Sequence, residues 1–281
     1  MNKKVIMTVA AMAIGVSAIA GSIASAGPAE DISAFQTYFK KRFADTEFSD
    51  FKNGVYSIHK PSREQWESIE DFPPYELAID NGSEMWEEAF ANGKTYADCL
   101  GKDVSAIRAR YPHYDVEKDT VATLEDDINK CRVANGEKKL GWKKGAIADL
   151  SAYIASEGRD KPVAVKLPEN EKALAWYEKG KNFFYAKRGQ LNLACSDCHV
   201  NYSGRMVRAD TLGPALGHTT HFPVYRSKWT SMGTLHRRYA GCNTNVRAKP
   251  FKAQSDEYKA LEYFQTLMSN GLVFNGPGAR K

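Results

Sequence analysis

Apolar side chains recur at helical spacing in separate stretches of the chain, and these set the expected elements. A first helix is expected around Ile32–Phe43, inside a lead-in segment over 27–60. Asp71-Phe72-Pro73-Pro74 marks a break. Met85, Ala89 and Phe90 predict an amphipathic helix over Ser83–Tyr96, which leads into Asp98-Cys99-Leu100-Gly101. Val121, Leu124, Ile128 and Cys131 predict a helix over Thr120–Arg132. Ile147, Leu150 and Ile154 predict another over Lys144–Ser156, stopped at Gly158. Pro162 and Leu167-Pro168 frame a short linker. Asn170 then suits the N-cap of a helix over Glu171–Lys187, which leads into Ser196-Asp197-Cys198-His199. A long stretch with little periodicity follows, rich in Gly, Arg and aromatics. Ser255 suits the N-cap of a last helix carrying Leu261, Phe264, Leu267 and Met268, with Asp256 and Glu257 in its first turn and Gly271 beyond its end. Strand signals are few, so the class is mostly α. Each half reads as helix, Asp-Cys, irregular middle, closing helix and Gly. That is the pattern of two weakly similar copies of one unit, over 27–165 and 166–281.

The first residues add an address. Lys3 and Lys4 precede an apolar run from Val5 to Ala20, and Ala24-Ser25-Ala26 offers small residues for cleavage. This is the layout of a secretory signal peptide over 1–26. The run falls short of the roughly 20 apolar residues that span a bilayer, and no later segment is apolar enough. An exported, periplasmic chain in an oxidising compartment is the expectation. A chain of 281 residues can bury ample core without staples, so its five cysteines need a reason beyond core-building. Their odd number leaves one thiol without a disulfide partner.

Charge divides the halves. Residues 27–169 hold 20 basic and 27 acidic side chains, a net of −7; residues 170–281 hold 17 and 7, a net of +10. Such asymmetry fits two domains and an anionic partner for the basic one, or two halves that attract each other. The basic residues form no run and no nucleic-acid fold motif appears, so nucleic acid is not expected as a partner.

Cys195-Ser196-Asp197-Cys198-His199 is C-x-x-C-H, the sequence of covalent haem attachment. Two thiols at this spacing reach the two vinyl groups of one porphyrin as thioethers, and the adjacent imidazole meets the iron from the proximal side. A zinc site would need two further ligands at regular spacing, and a thioredoxin-like motif would need a βαβ pattern. Neither is present in the sequence. Gly180 and Phe184 on the helix before the motif, with Tyr258, Tyr263 and Phe264 on the last helix, suit the helix crossing beside the haem of a class I cytochrome c. Candidates for the distal position are Met206, Met232, Met268, His218, His221, His236 and Cys242. Met206 lies close to the attachment site, and Met268 falls at a core-like position. Met232 or a His would give Met/His or bis-His ligation and a plain electron-transfer cytochrome. Cys242 is the unpaired thiol, in the basic context of Arg238 and Arg247 that favours a thiolate.

These blocks closely resemble the SoxA family. The attachment motif, Phe222-Pro223-Val224-Tyr225-Arg226, Leu235-His236-Arg237-Arg238, Cys242-Asn243, Val246-Arg247-Ala248 and Asn270-Gly271-Leu272 carry the resemblance, which covers 170–281 and, more loosely, the N-terminal half. It implies two cytochrome c-like domains and an L-cysteine S-thiosulfotransferase that joins thiosulfate oxidatively to a cysteine of the carrier SoxYZ. The small cytochrome SoxX would be its tight partner. By the same resemblance, Cys195 and Cys198 anchor the haem and His199 is the proximal ligand. Cys242 becomes the distal ligand and a catalytic cysteine persulfide, while Arg238 and Arg247 bind the substrate anion. Some members carry a second C-x-x-C-H in the N-terminal domain. This chain has Tyr96-Ala97-Asp98-Cys99-Leu100 there, so one covalently attached haem c is expected. Cys99 is then expected to pair with Cys131, closing a loop of about 33 residues and contributing on the order of 3 kcal/mol.

Overall fold

The structure is a computed structural model, and it describes residues 27–280; the expected signal peptide lies outside the described residues. Among the described residues there are nine α-helices and seven strands of two or three residues. The N-terminal half holds α1 (Pro28–Arg42), α2 (Lys60–Glu70), α3 (Glu76–Glu87), α4 (Tyr96–Leu100), the hairpin β1 (His113–Asp115)–β2 (Thr120–Ala122), α5 (Leu124–Ala134) and α6 (Ala146–Glu157). The C-terminal half holds α7 (Glu171–Tyr185), the hairpin β3 (Met206–Val207)–β4 (Asp210–Thr211), β5 (Val224–Arg226), β6 (Ser231–Gly233), α8 (Leu235–Asn245), α9 (Asp256–Met268) and β7 (Gly278–Arg280). Strand β5 is central in a small sheet, antiparallel to β6 and parallel to β7.

The mostly α class is as expected, and several boundaries move. Asn170 does cap α7, its Oδ1 accepting from the Ala173 amide at 2.9 Å. The helix expected over Ser83–Tyr96 begins earlier and stops at Glu87; Gly93, at φ +78°, turns the chain into the separate α4. Thr120–Ala122 pairs as β2, and Thr123 caps α5. Two helices were not expected. Helix α2 buries no residue fully and packs inward only through the partly covered Trp66 and Ile69, and α8 lies in the stretch that lacks periodicity.

Each half closes on a helix pair with a glycine at the crossing. A Cβ on Gly82 of α3 would lie 2.2 Å from the Asp149 carbonyl oxygen of α6, and one on Gly180 of α7 would lie 2.0 Å from the Ala260 carbonyl oxygen of α9. Only a residue without a side chain lets the backbones approach so closely. The larger core lies around α7, α9 and α1, with Phe39, Tyr177, Phe184, Phe264 and Leu267 fully buried. A second core joins α3, α5 and α6 through Ile128, Ile147, Leu150 and Ile154.

The repeat is closer than the pattern of helices suggests. Residues 111–135 and 222–246 correspond without a gap, every pair 111 positions apart, and Pro112/Pro223, Tyr114/Tyr225, Thr123/Thr234, Leu124/Leu235 and Cys131/Cys242 are identical. Both segments open on a cis proline, form a hairpin whose turn residue has positive φ (Asp119, Thr230), and continue into an eleven-residue helix. Cys99 and Cys131 are bonded, with Cα atoms 5.7 Å apart.

Candidate haem and thiolate site

The attachment motif follows α7 on a short turn. Asp197 fixes its start, accepting from the Ala194 amide at 2.8 Å, and residues Asp197–Asn201 wind as a single π-helical turn. Asp98 does the same in the N-terminal half, accepting from the Thr95 amide at 2.7 Å. Cys99 thus corresponds to Cys198. The Cys99–Cys131 disulfide joins the counterparts of a motif cysteine and of Cys242. His199 is oriented by its Nδ1, 2.9 Å from the Gly213 carbonyl oxygen, which leaves Nε2 for the opposite direction. The half-buried ring of His218 packs edge-on against it, with centroids 4.3 Å apart.

Helix α8 supplies the facing side. Thr234 begins it, and Arg238 and Cys242 stand one turn apart on one face. The helix is held on α9 by Tyr239, whose hydroxyl donates to Gln265 Oε1 at 2.5 Å, and by Asn243, whose amide donates to Tyr258 Oη at 2.8 Å. The Arg238 guanidinium folds back to within 3.9 Å of where a Cβ on Gly241 would be. Burial alone would raise the Cys242 thiol. The charge of Arg238, a hydrogen bond and charge from His199, and the charge of Arg226 outweigh it and pull the thiol down to about 7. Burial and the neighbouring Cys242 instead push Cys195 up to about 12 and raise Cys198. Of the three free thiols, Cys242 is the one disposed to be an anion near neutral pH.

The structure therefore gathers Cys195, Cys198, His199, Arg238 and Cys242. Arg247 stands apart: it follows the end of α8, at φ +57°, with its side chain exposed. The second guanidinium acting on Cys242 is Arg226 of β5, which burial and the Arg238 charge push down to about 10. Reading spacing along the chain missed it, because the β5–β6 hairpin and not local periodicity brings it there. Of the other distal candidates, His218 packs against His199 itself, and the rest lie elsewhere. Met206 is exposed on β3. Met232 is buried beside Tyr75, Ala148 and Ala279, and Met268 in the α9 core. His236 is committed: its Nδ1 accepts from the Gln254 amide at 2.9 Å, and its Nε2 lies 3.1 Å from Glu262 Oε2. The buried His221 has its Nδ1 3.4 Å from the Lys52 carbonyl oxygen. Two thiols on one turn, an imidazole whose Nε2 points to the facing acidic thiol, and that thiol itself form a donor set that fits haem c.

Comparison with known proteins agrees. The family model for the SoxA/TsdA cytochrome c domain matches residues 81–163, in the half without the attachment motif. The L-cysteine S-thiosulfotransferase subunit SoxA of Chlorobaculum tepidum is 55% identical over 251 residues, 89% of this chain and 87% of that protein. Its namesake from Allochromatium vinosum is 55% identical over 262 residues, 93% of each. The crystal structure of SoxXA from P. pantotrophus matches with a TM-score of 0.70 at 32% identity, over 78% of this chain and 84% of that one. With identity of this depth along nearly the whole length, the chain belongs to the SoxA family of c-type cytochromes.

Proposed function

We propose that this chain is the larger subunit of an L-cysteine S-thiosulfotransferase, with Cys242 and Arg238 as its reaction centre. Relatives 55% identical carry that activity in their names, and the solved neighbour is a SoxXA complex. The observation that carries the reading is Cys242: a half-buried thiol pulled to about 7 beside two guanidiniums and opposite His199. Electron transport alone does not require an anion-binding pair of arginines beside a ligand. On this reading Cys195 and Cys198 would anchor one haem c, and His199 and Cys242 would hold its iron. The haem, when bound, supplies an outlet for single electrons.

The residues divide the remaining work. Arg238 offers a planar fork of N–H donors that matches two oxygens of the thiosulfate sulfonate. Arg226 adds positive potential in a partly buried setting where screening is reduced. Cys242, carried as a persulfide, holds sulfur next to the bound anion. Joining thiosulfate to a carrier thiol forms one S–S bond and releases one proton and two electrons; the proton goes to solvent. SoxX is the partner subunit, SoxYZ carries the product, and the complex works in the periplasm. Domains 27–165 and 166–281 follow the repeat, the first holding the disulfide and the second the haem. Among the described residues no helix is long and apolar enough to cross a membrane.

The test uses the purified complex with SoxX, thiosulfate and SoxYZ. Cys242→Ala is expected to lower coupling at least ~100-fold, in the range of losing a nucleophile. Arg238→Gln should raise KM for thiosulfate at least ~10-fold, as expected for a charged hydrogen bond of about 1.5–3 kcal/mol. Full activity in Cys242→Ala would reject the reading and leave a plain electron carrier. Mass spectrometry of the mature chain should find one haem and one disulfide.

A further inference from the structure

A cavity of about 210 Å³ lies outside the site described above, between the 3-10 segment Phe48–Ser57, α2, the end of α6 and β7. Three cations line it: Lys52, Arg159 and Arg280. The Arg280 guanidinium is pinned over the rings of Tyr56, at 4.8 Å, and Trp66, at 5.9 Å, and its Nη1 donates to the Ala279 carbonyl at 2.7 Å. Its Nη2 is buried and has no hydrogen-bond partner among the described residues. Arg159 donates only to neutral acceptors, the Tyr75 hydroxyl and the carbonyls of Gly276 and Pro277.

The acids nearby do not complete this set. Glu70 also lines the cavity but is largely engaged elsewhere: Oε1 accepts from Trp66 Nε1 at 2.7 Å and from the Ala279 amide at 2.9 Å, and Oε2 accepts from the Tyr75 hydroxyl. Asp160 reaches Lys52 at 3.6 Å but its side chain is 82% exposed, so solvent screens the pair. Burial lowers the affinity of Arg280 for its proton, outweighing the charge of Glu70 and a hydrogen bond with Tyr56. Asn275 adds a buried Oδ1 without a partner, an acceptor for a bound water or a ligand hydroxyl. A buried N–H left unmade costs about 1–3 kcal/mol, which a bound acceptor would recover.

We propose that this cavity binds a small tetrahedral oxyanion of the sulfate class, held by Arg280 Nη2, Lys52 and Arg159. Two or three guanidinium and ammonium donors converging on one small space suit an ion with several equivalent oxygens. Sulfate and thiosulfate present the same oxygen face, so either can occupy it. The site is independent of the chemistry at Cys242 and of the function proposed for it.

Calorimetric titration of the haem-loaded complex with sodium sulfate, in buffer free of other oxyanions, tests it. One saturable site per chain is expected. Lys52→Met, which removes a half-exposed ammonium without opening the core, should weaken sulfate at least ~5-fold, and Arg280→Gln should abolish the site. Arg238→Gln should leave sulfate binding unchanged and remove only an additional thiosulfate site. Sulfate should displace thiosulfate from the remaining one. Absence of a saturable sulfate site, sulfate uptake indifferent to both Lys52→Met and Arg280→Gln, or loss of it in Arg238→Gln would overturn the assignment.

Discussion

Arg226 and Arg247 make contrasting use of the same side chain. Arg226 is held within reach of Cys242 by a strand, and Arg247 is released to solvent beyond a helix end. Kinetics should separate them. Arg226→Gln is expected to raise KM for thiosulfate about 3–10-fold, the scale of one partly buried charge. Arg247→Gln should stay within about 2-fold, since an exposed charge is screened. Steady-state assays of the two variants decide the matter, and equal effects would reject the ranking. At this scale the sequence was most legible where chemistry is local. The residues of C-x-x-C-H share one turn, and Arg238 and Cys242 stand one turn apart on another helix. Arg226 lies 12 residues before Arg238, and only the hairpin between them brings it close.

Helices with apolar stripes could be read from spacing, and helices without them could not. Helix α7 has its Asn170 cap and α9 its run of buried side chains, so both were foreseeable. Helix α2 packs inward through only two apolar side chains, Trp66 and Ile69, and α8 turns Arg237, Arg238 and Cys242 toward partners that spacing does not reveal. The ungapped correspondence between 111–135 and 222–246 was present in the sequence all along, as five identities at a constant offset. It was obscured because the facing residues differ in charge, Asp115 against Arg226 and Asp127 against Arg238. The crossing glycines carry the sharpest prediction for these elements. Gly180→Ala should destabilise the protein by about 1–3 kcal/mol, because its methyl would press on backbone and not on a movable side chain. A lowered Tm, together with weaker haem retention, should be seen in thermal melts; a melt equal to wild type would contradict the close crossing.

Across the whole molecule, the opposite net charges of the halves are spent partly on each other. Asp126 of α5 meets Lys259 of α9 at 2.7 Å, with both side chains largely buried, and Asp119 meets Lys172 at 2.9 Å. Burial would raise the Asp126 carboxyl, but Lys259 and then Lys130 hold it below its usual value. A carboxyl depressed in the folded state contributes stability above the unfolded value near 3.9 and loses it as the pH falls through the folded one. Asp126→Asn should therefore cost about 3 kcal/mol at neutral pH, the scale of breaking a buried pair. Melts taken from pH 7 downward should show that gap closing below about pH 4. The cysteines also impose a constraint on the chain as a whole. Cys99 and Cys131 must be oxidised together, whereas Cys195 and Cys198 can form thioethers only as reduced thiols. Biogenesis must therefore treat two pairs of sulfur atoms in opposite ways within one polypeptide. A cell lacking the thiol-reducing branch of its export machinery would deliver the N-terminal half correctly closed and the C-terminal half colourless.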